Sequence, residues 1–309
     1  MTVDRRLRGP ALVLGFADYA APAQRLADRL RVPCAQVTVH RFPDGESRVT
    51  VPVPLPARVA LCRSLDRPND KLVETILAAA AARKHGAHAV TLVAPYLPYM
   101  RQDAEFTPGD AVSQRIVGAL LAERFDAVVT VDPHLHRVAT LSDAVPAKRA
   151  VALSAAALFG DHLAPRAPGA LLVGPDEESA QWLAAAAAGH RFETAVCRKV
   201  RRGDRDVDVD VPPARIAGRA VVLVDDMAST GTTLAVAARR CLALGAATVD
   251  ALVVHGLFVG DAVGDLRRAG VRHVWSTDSV LHATNVLPLA GLLAGALADD
   301  APVGAAASP

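Results

Sequence analysis

The stretch Val221-Val222-Leu223-Val224-Asp225-Asp226-Met227-Ala228-Ser229-Thr230-Gly231-Thr232-Thr233-Leu234 decides how this chain is read. Four consecutive apolar residues, Val221 to Val224, predict a strand covered on both faces, because a half-exposed strand alternates apolar with polar residues. Two adjacent carboxylates cap that strand, and a Ser/Thr/Gly turn leads into the helical pattern Leu234–Leu244. Such a turn surrounds a phosphate with backbone N–H groups and hydroxyls at a helix N-terminus, where the dipole also favours an anion. Asp225 and Asp226 repel phosphate themselves; they suit hydrogen bonds from sugar hydroxyls, or a metal held indirectly. Carboxylate pair plus phosphate turn reads as a sugar-phosphate site. The plain alternative is a strand–turn–helix whose Asp and Ser/Thr residues serve as helix caps.

Outward from this stretch, short apolar runs alternate with Ala-rich helical stretches. Strands are expected at Ala11–Gly15, Arg58–Cys62, Ala89–Ala94, Ala127–Val131, Ala170–Val173, Thr194–Cys197, Ala220–Val224, Thr248–Val254 and Val271–Trp275. Helices are expected at Gln24–Leu30, Lys71–Lys84, Ser113–Arg124, Glu178–Ala187 and Leu234–Leu244. That alternation predicts an α/β chain whose parallel sheets are built from βαβ units. So many strands in 309 residues point to two similar sheets, with domains at 1–146 and 147–300 and a frayed tail at 301–309.

The residues just past the strands are able to do chemistry. Cys62 leads to Arg63-Ser64 and on to Pro68-Asn69-Asp70, and Ala94 leads to Tyr96, Tyr99 and Arg101-Gln102-Asp103. Val131 leads to Asp132-Pro133-His134, and Val173 to Gly174-Pro175-Asp176. In open α/β sheets ligands bind beyond the carboxyl ends of the strands, so each sheet carries its reactive groups on one edge. Two further segments stand out. Arg41-Phe42-Pro43-Asp44-Gly45-Glu46 is a turn that presents one aromatic ring between polar groups, although Pro-Asp-Gly is also a plain turn sequence. Arg198-Lys199-Val200-Arg201-Arg202-Gly203-Asp204-Arg205 precedes the alternating segment Asp206–Val211 and reads as a basic hairpin tip able to close over a polyphosphate. Its plain alternative is a solvated basic loop balanced by the aspartates that follow.

Bulk properties narrow the field. Hydrophobic residues at 51% and charged residues at 21% predict a sizeable core rather than long disorder. A net charge of +2 argues for neither nucleic acid nor an anionic membrane. Cys34, Cys62, Cys197 and Cys241 lack ligand spacing, which suits buried thiols in a reducing compartment. Arg5, Arg6 and Arg8 before Ala11–Phe16 imitate a signal peptide, but Asp18 interrupts the apolar run early, and a first strand is the better reading. The run Leu287–Leu297 is too short to cross a bilayer. A soluble, cytoplasmic protein is expected.

In order, Phe42-Pro43-Asp44-Gly45-Glu46, Arg63-Ser64…Pro68-Asn69-Asp70, Tyr96…Tyr99…Arg101-Gln102-Asp103, Asp132…His134, Pro175-Asp176 and the loop at Asp225 resemble the ribose-phosphate pyrophosphokinase (PRPP synthase) family across residues 11–285. Phe106–Asp110 and Ser229 are similar to its archaeal-type branch; type I phosphoribosyltransferases share only the Asp225–Thr233 loop and would be one domain. The resemblance implies two tandem type I phosphoribosyltransferase-like domains, each a mainly parallel sheet flanked by helices. It implies transfer of the β,γ-diphosphoryl group of ATP to the C1 hydroxyl of ribose 5-phosphate, giving PRPP and AMP. Phe42, Asp44, Glu46, Arg101, Gln102 and Asp103 match the ATP site. Asp225, Asp226, Ser229, Thr230, Gly231, Thr232 and Thr233 match the ribose-5-phosphate site, His134 and Asp176 the Mg2+ positions, and Lys199 and Arg201 the catalytic pair. A homodimer or larger assembly is implied, with no nucleic-acid or membrane partner; His136 is read as structural or surface.

Two departures bear on the alternatives, which are a diphosphokinase for another sugar phosphate and a non-catalytic regulatory relative. Thr232 stands where the family usually has glycine, and a β-branched residue there is strained if the position needs φ > 0. Glu177 and Glu178 follow Asp176 and would repel a diphosphate unless they hold cations or face solvent. Retention of Lys199 and Arg201 argues against a regulator.

Overall fold

A computed structural model describes residues 9–201, 207–210 and 216–298. The chain divides into two compact units, residues 1–153 with 289–309, and residues 154–288.

The first unit is built on a seven-stranded sheet. Its strands are β1 (Leu12–Phe16), β2 (Cys34–Arg41), β3 (Ser47–Thr50), β4 (Arg58–Cys62), β5 (Ala89–Val93), β6 (Ala127–Val131) and β7 (Arg149–Leu153), in the order β3-β2-β1-β4-β5-β6-β7. All neighbours pair parallel except the hairpin β2–β3. The helices α1 (Ala20–Leu30), α2 (Pro68–Lys84), α3 (Ser113–Arg124) and α4 (Leu141–Ala144) supply the crossovers. The fully apolar runs of β1 and β4 are buried throughout or nearly so, as the hydrophobic runs predict. Leu14, Phe16, Leu61, Leu92, Leu121 and Phe125 stand at the centre of this core.

The second unit holds α5 (Ala156–Leu163), β8 (Leu171–Gly174), α6 (Ala180–Ala187), β9 (Glu193–Val196), β10 (Arg198–Arg201), β11 (Val207–Asp210), β12 (Ala220–Ala228), α7 (Thr232–Ala243), β13 (Thr248–Gly256), α8 (Ala262–Arg268), β14 (Val271–Thr277) and β15 (Asn285–Leu287). Six of these strands form a parallel sheet in the order β15-β14-β13-β12-β8-β9, and β10 and β11 pair as a separate antiparallel hairpin. The last helix, α9 (Ala290–Ala298), returns to the first unit, where it packs on α1 and β7.

The two sheets share one connectivity. In each, the chain lays down a strand, places the next on one side, then crosses to the other side and continues outward: β1, β2, β4, β5, β6 in the first and β8, β9, β12, β13, β14 in the second. The reversal creates a crevice between β1 and β4 and another between β8 and β12, at the carboxyl edge.

The structure departs from the expected boundaries in three places. Residues 149–153 complete the first sheet instead of opening the second domain, because Ala127–Val131 has an apolar edge that β7 covers in parallel register. Residues 289–298 belong with the first unit, where Leu293 and Leu297 are buried, so a C-terminal domain of 147–300 is too long at both ends. The strand at Val221 continues to Ala228, because β13 runs alongside it as far as Gly256; the two aspartates therefore lie within the strand. The expected tail at 301–309 lies outside the described residues.

Candidate active site

The sugar-phosphate candidates come together on β12 and the turn after it. Asp226 is buried and Asp225 half-buried, and their side chains lie within hydrogen-bonding reach of each other. The Asp226 backbone N–H donates to Asp225 Oδ1 at 3.0 Å. Asp176, two residues beyond β8, shares this edge, since β8 and β12 are paired neighbours. Burial pushes the Asp225 carboxyl well above the usual carboxylate range, and the charges of Asp226 and Asp176 push it the same way. Three carboxylates thus gather at the β8/β12 crevice.

Past Ala228 the chain turns through Ser229 and Thr230 to Gly231, which caps α7 with φ of 73°. A side chain at Gly231 would be strained by that left-handed conformation. Thr232, by contrast, is the first residue of α7, in helical conformation, so it carries none of the strain anticipated for a β-branched residue at that position. Its Oγ1 lies 3.0 Å from Thr230 Oγ1. The turn is braced from behind. The N–H of Phe258 donates to the Ala228 carbonyl at 3.0 Å, and that of Val259 to the Ser229 carbonyl at 2.9 Å. Phe258 holds φ of 36° to do so. Next to it, the Ser279 hydroxyl meets His255 Nδ1 at 2.9 Å and donates to the Val254 carbonyl at 3.0 Å, while Thr277 Oγ1 donates to the same carbonyl at 2.7 Å. Sequence reasoning missed this buried bracing; its only trace is polar residues, Thr277 to Ser279, at the end of an otherwise sheet-forming run.

Glu177 and Glu178 are exposed on a 3₁₀ turn, Glu177–Ser179, between β8 and α6, whose last residue is buried. The close approach of Ser179 leaves no room for a side chain at Gly174, so the turn departs tightly from the strand.

Among the nucleotide candidates, Phe42, Asp44 and Glu46 form the tip of the β2–β3 hairpin. The Phe42 N–H donates to the Glu46 carbonyl at 2.8 Å, and Gly45 takes φ of 95°. Asp44 Oδ1 accepts from the Glu46 N–H at 3.0 Å, which leaves the ring of Phe42, 39% exposed, standing on the tip. The stem residues on either side of the tip are held by one buried carboxylate on α2. Glu74 Oε1 accepts from Arg41 Nε at 3.1 Å and from Ser47 Oγ at 3.2 Å, and Glu74 Oε2 lies 2.7 Å from Arg63 Nη2. Arg63 also makes a bidentate pair with Asp18, and its guanidinium lies 4.2 Å over the Phe16 ring. Glu74, a residue of the α2 pattern with no motif to mark it, was not anticipated.

Arg101 and Gln102 are exposed after β5, whereas Asp103 is buried and accepts from Arg137 Nη1 at 2.6 Å. The bond ties the loop after β5 to the loop after β6, which carries His134. Asp132, at the end of β6, adopts φ of 36°, a left-handed conformation rare outside glycine. His134 and His136 meet ring to ring through their Nε2 atoms, with centroids 4.0 Å apart. Lys199 and Arg201 fall on β10, opposite Val209 and Val207 of β11. Their side chains, and the hairpin tip of Arg202, Gly203, Asp204 and Arg205, lie outside the described residues.

The model of the N-terminal domain of ribose phosphate pyrophosphokinase matches residues 13–124, and that of the phosphoribosyl transferase domain matches residues 140–281. The chain is 37% identical to the ribose-phosphate pyrophosphokinase of Methanopyrus kandleri over 273 residues, covering 87% of this chain and 92% of the relative. It is 34% identical to that of Halobacterium salinarum, covering 92% and 96%. The chain belongs to the ribose-phosphate pyrophosphokinase family. The crystal structure of phosphoribosylpyrophosphate synthetase from Mycobacterium smegmatis, at 23% identity, has the same fold, with a TM-score of 0.79 over 93% of this chain and 97% of that one. Two tandem α/β domains with mainly parallel sheets are thus the architecture of this family member, and no described helix is long and apolar enough to cross a membrane.

Proposed function

We propose that this family member transfers the β,γ-diphosphoryl group of ATP to the C1 hydroxyl of ribose 5-phosphate, giving PRPP and AMP. The observation that carries the reading is the group of Asp176, Asp225 and Asp226 at the β8/β12 crevice, beside the glycine-capped turn that opens α7. Like charges crowded at a strand edge are costly unless a ligand uses them, and sugar hydroxyls and a cation are the ligands that do.

In this reading the N–H groups and hydroxyls of Ser229, Thr230, Gly231, Thr232 and Thr233 take the 5-phosphate. Asp225 and Asp226 accept from the ribose hydroxyls and fix the orientation of the sugar. A fixed acceptor gains from proximity alone, with effective molarities on the order of 10⁵ M or more. Phe42 stacks on adenine from its rigid hairpin tip, with Asp44 and Glu46 beside it. Arg101 meets the phosphates with planar donors, Gln102 adds hydrogen bonds, and Asp103 holds that loop through Arg137. Lys199 and Arg201 stabilise the charge that spreads over the diphosphoryl group in the transition state.

Mg2+ suits the donor set, since carboxylates such as Asp176 are the oxygen ligands it prefers. Asp176 would hold it in the second unit and His134 in the first, and it would neutralise charge on the polyphosphate. Exposed apolar side chains one turn apart, Val73 and Leu77 on α2 and Ile116 and Leu120 on α3, support a homodimer or larger assembly. Four free cysteines suit a reducing, cytoplasmic setting. The helical conformation of Thr232 supports ribose 5-phosphate over another sugar phosphate.

Purified protein incubated with Mg-ATP and ribose 5-phosphate is expected to yield AMP and PRPP in equal amounts; AMP without PRPP, or neither product, defeats the reading. Lys199→Ala should lower kcat by about 10²-fold or more with little change in nucleotide affinity. Equal losses in both would remove Lys199 from the chemistry.

A further inference from the structure

We propose that His255 and Ser279 are positioning residues for the sugar-phosphate turn: they fix the chain segment that aims the Ser229 and Thr230 N–H groups at the 5-phosphate. The inference deepens the ribose 5-phosphate reading and rests on it. The N–H groups of Phe258 and Val259 donate to the carbonyls of Ala228 and Ser229 at 3.0 and 2.9 Å. In a regular strand successive N–H groups point to opposite sides, so a strand cannot hold two consecutive carbonyls of its neighbour. The left-handed φ of 36° at Phe258 turns both donors to one side. The peptide bonds of the turn are trans, so each N–H points away from the carbonyl of its own peptide unit. With the Ala228 and Ser229 carbonyls held from behind, the N–H groups of Ser229 and Thr230 face forward side by side, as the donors of an anion site do.

A bulky residue keeps φ > 0 only where its surroundings over-determine it, and His255 and Ser279 supply that constraint. The Ser279 hydroxyl lies 2.9 Å from His255 Nδ1 and donates to the Val254 carbonyl at 3.0 Å, where Thr277 Oγ1 also donates at 2.7 Å. A carbonyl accepts two such bonds, so the one hydroxyl proton of Ser279 goes to Val254, and His255 Nδ1–H donates to Ser279 Oγ. Asn285 Nδ2 donates to the Thr277 and Val280 carbonyls at 2.6 and 3.1 Å, which holds the Ser279 loop from its far side. From His255 the chain is short and tight. The Leu257 N–H donates to the His255 carbonyl at 3.1 Å, and a side chain at Gly256 would collide with the Phe258 ring. That ring lies against His282, with centroids 4.8 Å apart. His255 and Ser279 are buried behind the turn, so their effect on a bound phosphate passes through the backbone.

The test compares the full-length protein with its Ser279→Ala, His255→Leu and His255→Asn variants. Ribose 5-phosphate binding is read by calorimetry with Mg2+ and a non-hydrolysable ATP analogue present, alongside PRPP kinetics and amide hydrogen exchange. Ser279→Ala should weaken ribose 5-phosphate binding and raise its KM by about tenfold, the size of one misaimed charge-assisted hydrogen bond. KM for ATP should stay unchanged, while the Phe258 and Val259 amides exchange faster. His255→Leu should do the same, and His255→Asn, whose amide offers a donor where Nδ1 stood, should recover most of the affinity. If His255→Leu fails to fold, Ser279→Ala, which deletes one oxygen, carries the test. Unchanged ribose 5-phosphate affinity, equal losses for ATP and ribose 5-phosphate, or unaltered exchange at Phe258 and Val259 would overturn the assignment. Wild-type protein that binds ribose 5-phosphate without forming PRPP defeats the diphosphokinase reading alone, since the binding arm still tests the turn. PRPP formation with variants that match the wild type in affinity sinks the positioning role alone, and wild-type protein that binds no ribose 5-phosphate sinks both.

Discussion

The two sheets repeat one connectivity, yet their crevices carry opposite electrostatics. Between β1 and β4 stand Asp18 and Arg63, locked in a bidentate pair, with Glu74 closing on Arg63 from α2. Between β8 and β12 stand Asp176, Asp225 and Asp226, and the charges that most affect Asp225 are like charges. In the first unit the crevice is filled by its own ion pair and serves as scaffold. In the second, carboxylates crowd one another and raise the Asp225 carboxyl, an arrangement suited to hydroxyls and cations. Similar positions in a repeated fold therefore separate into structure and function by charge pairing, and the nucleotide candidates of the first unit have moved outward to the β2–β3 tip and the loops after β5 and β6.

The sharpest way to break this contrast is to unpair the first crevice. Glu74→Ala leaves Arg63 buried without that partner and frees both stem residues of the Phe42 hairpin, so a loss of about 3–5 kcal/mol in unfolding free energy is expected by denaturant titration. Asp225→Asn does the reverse in the second. It should lower kcat/KM for ribose 5-phosphate by about 10²-fold, or ~2.7 kcal/mol, while thermal unfolding shows the protein to be more stable, not less. The sign follows from the raised carboxyl pKa: folding favours the protonated form, so the contribution of Asp225 to stability is full below the unfolded value near 4 and declines as pH rises through the higher folded value. The Asn variant should lack that decline.

Asp126 supplies a control from the scaffold class. Burial raises its carboxyl, but hydrogen bonds from Lys148, the Val90 N–H and Arg83 outweigh this and bring it down to about 2. Its contribution is present above the unfolded value near 4 and is lost as pH falls toward 2. Asp126→Asn should therefore cost about 2 kcal/mol at neutral pH and flatten the acid limb of the stability profile. The smallest change expected is in Phe42→Ala. An aromatic ring on an exposed tip contributes within about 0.5 kcal/mol to stability, but loss of base stacking should weaken ATP binding by about 1 kcal/mol or more, read by calorimetry.

The strands of both crevices were legible as apolar runs because parallel sheets are covered on both faces, and the turn at Gly231 was legible because a left-handed helix cap calls for glycine. Strands β2, β3, β7 and β15 were not. β2 and β3 form an exposed hairpin whose residues follow no buried pattern, and β15 has only three residues. The conformation of Thr232 stayed open because sequence shows which residue follows a glycine, not where the helix begins. Glu74 and His255 were invisible for a shared reason: each acts through partners distant in the chain, and a lone polar residue in a helical or strand pattern carries no local mark of them. The same holds for His136, whose spacing from His134 was noticed but whose ring contact depends on Leu135 turning inward.

The position of α9 has a consequence for biosynthesis. Arg149 Nη2 donates to the Ala296 carbonyl at 2.9 Å, and Gly9 lies against Leu297 so closely that no side chain fits between them. The helix that seals α1 and β7 thus leaves the ribosome only after all of residues 154–288. The first unit lacks its α9 cover until the second has been synthesised, so a nascent chain has a complete second unit while the first still exposes the apolar strip that α9 will cover.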